Sequence, residues 1–167
     1  MPAIDQGLEA KRFFVIPRTL IFLFDEQDRV LLLKGADDKR LWAGKLNGIG
    51  GHLEQGEDIL ESAHRELQEE TGITDADLWL CGQIMIAVTE EQGVAVFVFK
   101  GKYADQKFIP SPEGELDWVP MDEIGTKPLV EDLFALLPKA AAHQVSEPLI
   151  IGKYAYGQDE KLVISFH

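Results

Sequence analysis

The stretch from Gly51 to Ile73, GHLEQGEDILESAHRELQEETGI, constrains this chain more than any other. Its middle is a run of helix formers. Glu57 and Asp58 are acids suited to a helix N-terminus, and Gly72 stands where a left-handed C-cap would close the helix. A helix beginning near Glu57 and ending before Gly72 is therefore predicted. Glu66, Glu69 and Glu70 are related by i,i+3 and i,i+4 spacing, so such a helix carries their carboxylates on one face. Like charges at that spacing repel by about 0.2–0.5 kcal/mol per pair. Near the C-terminal end the helix dipole disfavours each anion by about 0.3–1 kcal/mol. One reading of the cluster is a solvated acidic face. The other is a divalent cation, which reverses the sign of both effects: hard cations take carboxylate oxygens, and Mg²⁺ combines a few of these with substrate phosphates.

The wider spacing separates the two readings. Gly51, five residues, Glu57, seven residues, Arg65-Glu66-Leu67, one residue, Glu69-Glu70, one residue and Gly72-Ile73 fill every specified position of the Nudix hydrolase signature. With each residue type at about 5–10% of positions, a chance match is on the order of one in a million or rarer. The stretch resembles that family's box, and the resemblance implies a fold: an α/β/α sandwich on a mixed central sheet. It implies hydrolysis of a phosphoanhydride bond in a nucleoside diphosphate linked to a further group, with Mg²⁺ or Mn²⁺ as cofactor. Glu69 and Glu70 become the core metal ligands, and Glu66 a further ligand or the group that orients the attacking water. Gly50 would offer its backbone carbonyl to the metal. Arg65 would orient a carboxylate rather than touch substrate. Glu57, nine residues before Glu66 and so on the opposite side of a helix, would be structural or a partner behind the ligands.

A second resemblance concerns substrate. Asn47-Gly48-Ile49-Gly50-Gly51 is similar to the run before the box in MutT-like oxidised-purine triphosphatases. Its glycines would let backbone approach a metal or phosphate closely, or else form a plain tight turn. Those enzymes also carry an acid five residues before a late Trp. Glu113 precedes Trp118 by five, which makes it a further metal ligand or base, with Glu115 as rival and a solvated loop acid as the alternative. The run that grips the purine in the human-type branch corresponds to Lys127–Asp132. Here Glu131 and Asp132 are present and the stacking Trp is not. Asn47 would read a base edge, and Trp42 would stack on the base or simply pack. Under this resemblance the catalytic set is Glu66, Glu70, Arg65 and Glu113. The metal set is Gly50, Glu66, Glu69, Glu70 and Glu113, and the substrate contacts are Asn47, Gly51, Glu131 and Asp132. His52 receives no role, and His64 reads as a surface residue.

Elsewhere the chain reads as strands and turns. Phe14–Phe24 and Arg29–Lys34 form a hairpin about Asp25–Asp28, with Pro17 marking the strand start or an edge irregularity. Leu78–Val88 and Val94–Lys102 form an antiparallel pair across the tip Thr89–Gly93. Asp117–Met121 is a short strand, and Met121–Gly125 one helical turn. Leu129–Leu137 is an amphipathic helix stopped by Pro138, followed by a linker to Pro148 and a last hairpin around Gly157–Glu160. At 167 residues the chain has the length of one well-buried domain. A net charge of −13 argues against a nucleic-acid polymer or an anionic membrane as partner, since either requires a basic face. It is compatible with a phosphorylated small molecule, because a bound cation supplies local positive charge. Cys81 is the single cysteine, which excludes an internal disulfide and fits a reducing, cytoplasmic setting, where it would serve as core filler. No apolar run has signal-peptide or transmembrane length.

Three functions remain. The first is a nucleoside triphosphate pyrophosphohydrolase acting on damaged nucleotides. The second keeps the chemistry on ADP-ribose, a dinucleotide or a nucleotide sugar. The third is a catalytically silent nucleotide-binding module, which the intact acids speak against. A nucleotide is the expected partner, and the family resemblance admits a homodimer.

Overall fold

The computed structural model describes Gly7 and residues 12–36, 43–105, 107–109, 114–157, 159 and 161–167. At the centre of the sheet runs β1 (Phe14–Phe24), whose side chains alternate between two cores, as the period-2 geometry of a strand demands. Phe22 and Phe24 belong to one core, Ile21 and Leu23 to the other. β2 (Arg29–Gly35) returns antiparallel. The turn between them is held by Asp25, whose carboxylate accepts from the Gln27 and Arg29 amides and from the Arg29 side chain at 2.7 Å.

There follow β3 (Leu46–Asn47), α1 (Ile59–Thr71), β4 (Asp77–Ala87), β5 (Gln92–Lys102), β6 (Gly114–Pro120), α2 (Leu133–Ala142), β7 (Ile150–Tyr156) and β8 (Leu162–Phe166). The sheet runs β3-β2-β1-β5-β4-β7-β8, with β6 added on β2. Pairs β1/β5 and β4/β7 are parallel and the remainder antiparallel, so the sheet is mixed. Ala63 and Leu67 of α1 join the core of Ile21 and Leu23. Leu133, Leu136, Leu137 and Ala140 of α2 join that of Phe22 and Phe24. The two helices thus cover opposite faces of one sheet, the α/β/α sandwich expected.

Several boundaries differ from the sequence expectation, each for a visible reason. Pro17 lies inside β1, with three strand residues before it. Its carbonyl accepts from the Leu53 amide at the last rung of a second ladder, where a missing N–H matters least. Pro138 does not stop α2, which starts at Leu133 and runs on to Ala142. Buried Leu136 and Leu137 before the proline and Ala140 after it hold the helix against a cost of about 3 kcal/mol. The helical turn near Gly125 is a 3₁₀ turn over Ile124–Thr126. Cys81 is fully buried on β4, where burial pushes its thiol up to about 11. Among the described residues no helix is long and apolar enough to cross a membrane.

One buried cation ties the layers together. The Lys100 ammonium, on β5, donates to the carbonyls of Ala141 and His143 at the C-terminal end of α2, the latter at 2.9 Å. A cation there satisfies carbonyls that a helix leaves open.

Candidate active site

The site is built from α1 and the segment before it. Asp58 is the N-cap: its side chain accepts from the Leu60 and Glu61 amides at 2.8 and 2.9 Å, and the Glu61 carboxylate accepts from the Asp58 amide at 2.9 Å. This capping box sets the first turn. Gly72 closes the last in the left-handed conformation, φ 74°, donating its N–H to the Gln68 carbonyl at 2.8 Å. With both ends pinned, Glu66, Glu69 and Glu70 come to one side of the helix at three depths. Glu70 is only 8% exposed, and its carboxylate accepts from the Gly50 amide at 3.1 Å. Glu66 is partly buried, while the Glu69 side chain is 61% exposed.

Arg65 binds the acids into a network. Its Nε donates to Glu57 at 2.6 Å, Nη1 to Glu66 at 3.0 Å and Glu69 at 3.1 Å, and Nη2 to the His52 carbonyl at 3.0 Å. Glu57 is therefore not across the helix from Glu66. It precedes the N-cap, outside the helix, and folds back onto Arg65. Helical spacing does not apply to a residue the helix does not contain. Hydrogen bonding from Arg65 holds the Glu57 carboxyl below its ordinary range, and the same contacts raise the guanidinium's own value. Burial pushes the Glu66 carboxyl up despite Arg65 beside it.

Residues 49–53 form a ladder along β1 on the side away from β5. Ile21 donates to Ile49 at 2.7 Å, Thr19 to Gly51 at 2.9 Å, and Leu53 to Pro17 at 3.2 Å. Two glycines make this possible. Gly50 has φ 141°, and a Cβ there would run into the Thr19 backbone carbonyl. A Cβ on Gly51 would run into the Glu66 carboxylate.

These elements form one wall of a cleft of about 1050 Å³. Gly50, Gly51, Arg65, Glu66, Glu69 and Glu70 line it, as do Asn47, Glu131 and Asp132. The sheet contributes an aliphatic floor, including Leu20 of β1, Ile84 and Ile86 of β4 and Val96 of β5. Asp132 is the N-cap residue of α2, yet its side chain makes no capping bond. Burial holds its carboxyl above the ordinary range, with Glu131 beside it adding to the effect. His52, Arg18 and Lys45 also line the cleft. Arg18 donates to His52 Nε2 at 3.1 Å, and burial with that cation keeps the imidazole value low. Glu115 lies on β6, exposed, beside a separate cavity shared with Lys34 and Phe108. Glu113 and Trp42 fall outside the described residues.

Two buried hydroxyls are among the cleft residues that sequence reasoning missed. Thr19 and Tyr154 are buried, and neither hydroxyl has a partner among the described residues. Nothing in the local sequence marks them, because each sits in an ordinary strand pattern. Among the described residues no group of three or more His, Cys, Asp or Glu side chains is placed as it stands to hold a metal ion. The donor set is all oxygen, and Arg65 at present draws Glu66 and Glu69 toward itself.

The NUDIX domain family model matches residues 16–140. The chain is 33% identical over 105 residues to the oxidized purine nucleoside triphosphate hydrolase of Danio rerio, covering 62% of this chain and 66% of that protein. It is 29% identical over 141 residues to the 8-oxo-dGDP phosphatase NUDT18 of Mus musculus, covering 79% of this chain and 41% of that protein. The chain thus spans just under two thirds of the first relative and well under half of the second. Among solved structures, the MutT mutator protein from Bacillus halodurans matches with a TM-score of 0.74 at 30% identity, over 92% of this chain and 97% of that one.

Proposed function

This chain belongs to the NUDIX family, and on that premise we propose that it hydrolyses a phosphoanhydride bond in a purine nucleoside triphosphate, oxidised purines included, releasing a monophosphate and pyrophosphate. The observation that carries the reading is that one cleft is lined by the acids of α1, by the amide of Asn47 and the carboxyls of Glu131 and Asp132, and by aliphatic side chains of the sheet. Its volume is that of a site enclosing a nucleotide-sized ligand. The likeness to an oxidized purine nucleoside triphosphate hydrolase supports the choice of base.

Glu66, Glu69 and Glu70, with the Gly50 carbonyl, fit a hard divalent cation, Mg²⁺ or Mn²⁺. The set is all oxygen, Glu70 is a carboxylate kept in a buried position, and an open arrangement suits an ion that keeps waters and takes substrate phosphates. Bound there, the ion neutralises charge on phosphate oxygens and lowers the pKa of water. Glu66 accepts a proton from the attacking water as the water oxygen bonds to phosphorus and the phosphoanhydride P–O bond breaks. Arg65 fixes the Glu66 and Glu69 carboxylates. Asn47, Glu131 and Asp132 hydrogen-bond the base edge, and the aliphatic floor takes its face. Glu113 is proposed as a further metal ligand or base. A reducing, cytoplasmic setting suits the lone buried thiol of Cys81.

A nucleoside diphosphate is the second reading, favoured by similarity to an 8-oxo-dGDP phosphatase over a larger share of this chain. A panel assay tests both. The protein is incubated with Mg²⁺ and 8-oxo-dGTP, dGTP, dATP, 8-oxo-dGDP or ADP-ribose, and monophosphate, pyrophosphate and phosphate are scored. Pyrophosphate from the triphosphates supports the first reading, and phosphate from 8-oxo-dGDP the second. Binding without turnover of any compound overturns both. Glu70→Gln is expected to lower kcat by about 10²-fold or more with the fold intact, and near-normal turnover would refute the role given to Glu70. Asn47→Ala is expected to blur discrimination among bases more than it slows hydrolysis; equal losses on every base would count against Asn47.

A further inference from the structure

Tyr154 presents an unmet demand inside the cleft. It is 1% exposed, and its hydroxyl has no hydrogen-bond partner among the described residues. An orphaned buried hydroxyl is costly, and such groups are few in native proteins. The ring is held rigidly: Tyr154 on β7 pairs with Ile86 of β4 on one side and Ile164 of β8 on the other, and it meets the Phe166 ring edge-on at 6.1 Å. It packs in the same core as Leu133 and Leu136 of α2 and lines the cleft with Asp132. Asp132 is near enough to act on the phenol electrostatically, and with burial it keeps the hydroxyl protonated, so the group stays a donor.

Resting on the nucleotide reading above, we propose that the Tyr154 hydroxyl is a specificity-determining group that donates a hydrogen bond to a ring carbonyl of the purine. A carbonyl oxygen projects about 1.2 Å beyond the ring edge and offers a hydroxyl fixed in the wall an acceptor, whereas a ring nitrogen is recessed. Adenine offers an amine where guanine offers a carbonyl; that amine can donate to the phenol oxygen but cannot accept, so adenine leaves the Tyr154 proton without an acceptor. A site that must pair a buried polar group rejects analogues lacking the partner far more strongly than one that only fills space.

Tyr154→Phe removes the oxygen and keeps the ring. Relative to its effect on dATP, it is expected to lower kcat/KM for 8-oxo-dGTP and dGTP about 10- to 100-fold, chiefly through KM, while the ligand-free Tm stays level or rises because an unpartnered hydroxyl has gone. A second readout does not depend on turnover. The chain has three tyrosines, so in fluorotyrosine-labelled protein the Tyr154 ¹⁹F resonance is assigned by its absence from Tyr154→Phe. It is expected to shift on adding 8-oxo-dGMP and not on adding dAMP. Parallel losses on all three triphosphates, a lowered ligand-free Tm with selectivity intact, or a resonance indifferent to 8-oxo-dGMP would overturn the assignment. A wild-type protein inert toward every nucleotide would instead overturn the nucleotide reading and this assignment with it.

Discussion

Gly51→Ala separates the geometry of the acids from the stability of the fold. A Cβ on Gly51 would lie 2.7 Å from Glu66 Cδ and 2.8 Å from Oε2, with Oε1 closer still. Ordinary contact begins near 3.4 Å, so the carboxylate must withdraw by at least roughly 0.7 Å at Cδ, and by more at Oε1. The obstructing atoms end a flexible side chain, so the backbone is spared and the stability cost is expected to stay within about 1 kcal/mol, a Tm change of about 2–4 °C for a chain of this size. Catalysis is less forgiving: displacing a reacting group by about 1 Å costs on the order of 10²-fold. Gly50→Ala is the contrasting substitution. Its φ of 141° imposes about 1–3 kcal/mol of strain, and its Cβ meets the Thr19 backbone, which cannot step aside. A Tm fall of roughly 4–10 °C follows. The assay is kcat and KM with Mg²⁺ and 8-oxo-dGTP, alongside thermal melts of both variants. Wild-type kcat in Gly51→Ala, or a Tm in that variant as low as in Gly50→Ala, would refute the reasoning.

Two further outcomes follow from buried charges. Burial holds the Asp132 carboxyl above its ordinary range, so the folded chain binds that proton more tightly than the unfolded chain. The contribution to stability is full below the ordinary aspartate pKa and lost as pH rises through the folded value. Asp132→Asn, which loses no capping bond, should match wild type near pH about 3 and exceed it at pH about 7; thermal melts showing a gap that is constant or narrows with pH would sink this. Lys100→Met keeps the apolar stem but strands the carbonyls of Ala141 and His143. A loss of about 1–3 kcal/mol is expected in urea melts, and unchanged stability would mean that relief of the buried ammonium's desolvation offsets the lost bonds.

The elements that the sequence made legible are those with strong local signals. β1 has the bounds read from its apolar run, and α1 ends at the glycine read as its cap. The acids at i, i+3 and i+4 came to one side because helical geometry leaves no alternative. What escaped depends on long-range packing. Glu57 was mislocated because its distance from Arg65 is closed by a turn rather than a helix, and the turn's path is set by the ladder to β1. Pro138 was read by its local rule, which burial of Leu136, Leu137 and Ala140 overrides. Tyr154 belongs to a strand far along the chain. Only the parallel pairing of β7 with β4 brings it beside Asp132 in the cleft.

The ladder between residues 49–53 and β1 has a consequence for how this chain tolerates change. Glu70 accepts from a main-chain amide, and Glu66 lies between the Arg65 guanidinium and the bare backbone of Gly51, so the acids take their bearings largely from peptide groups and one arginine. Apolar interior side chains can therefore be exchanged for others of similar bulk, and the chemistry should survive so long as Arg65, two glycines and one strand edge do. Drift in the oily interior and retention of activity become independent variables, which is a sound footing for redesigning the base-binding residues without touching the acids of α1.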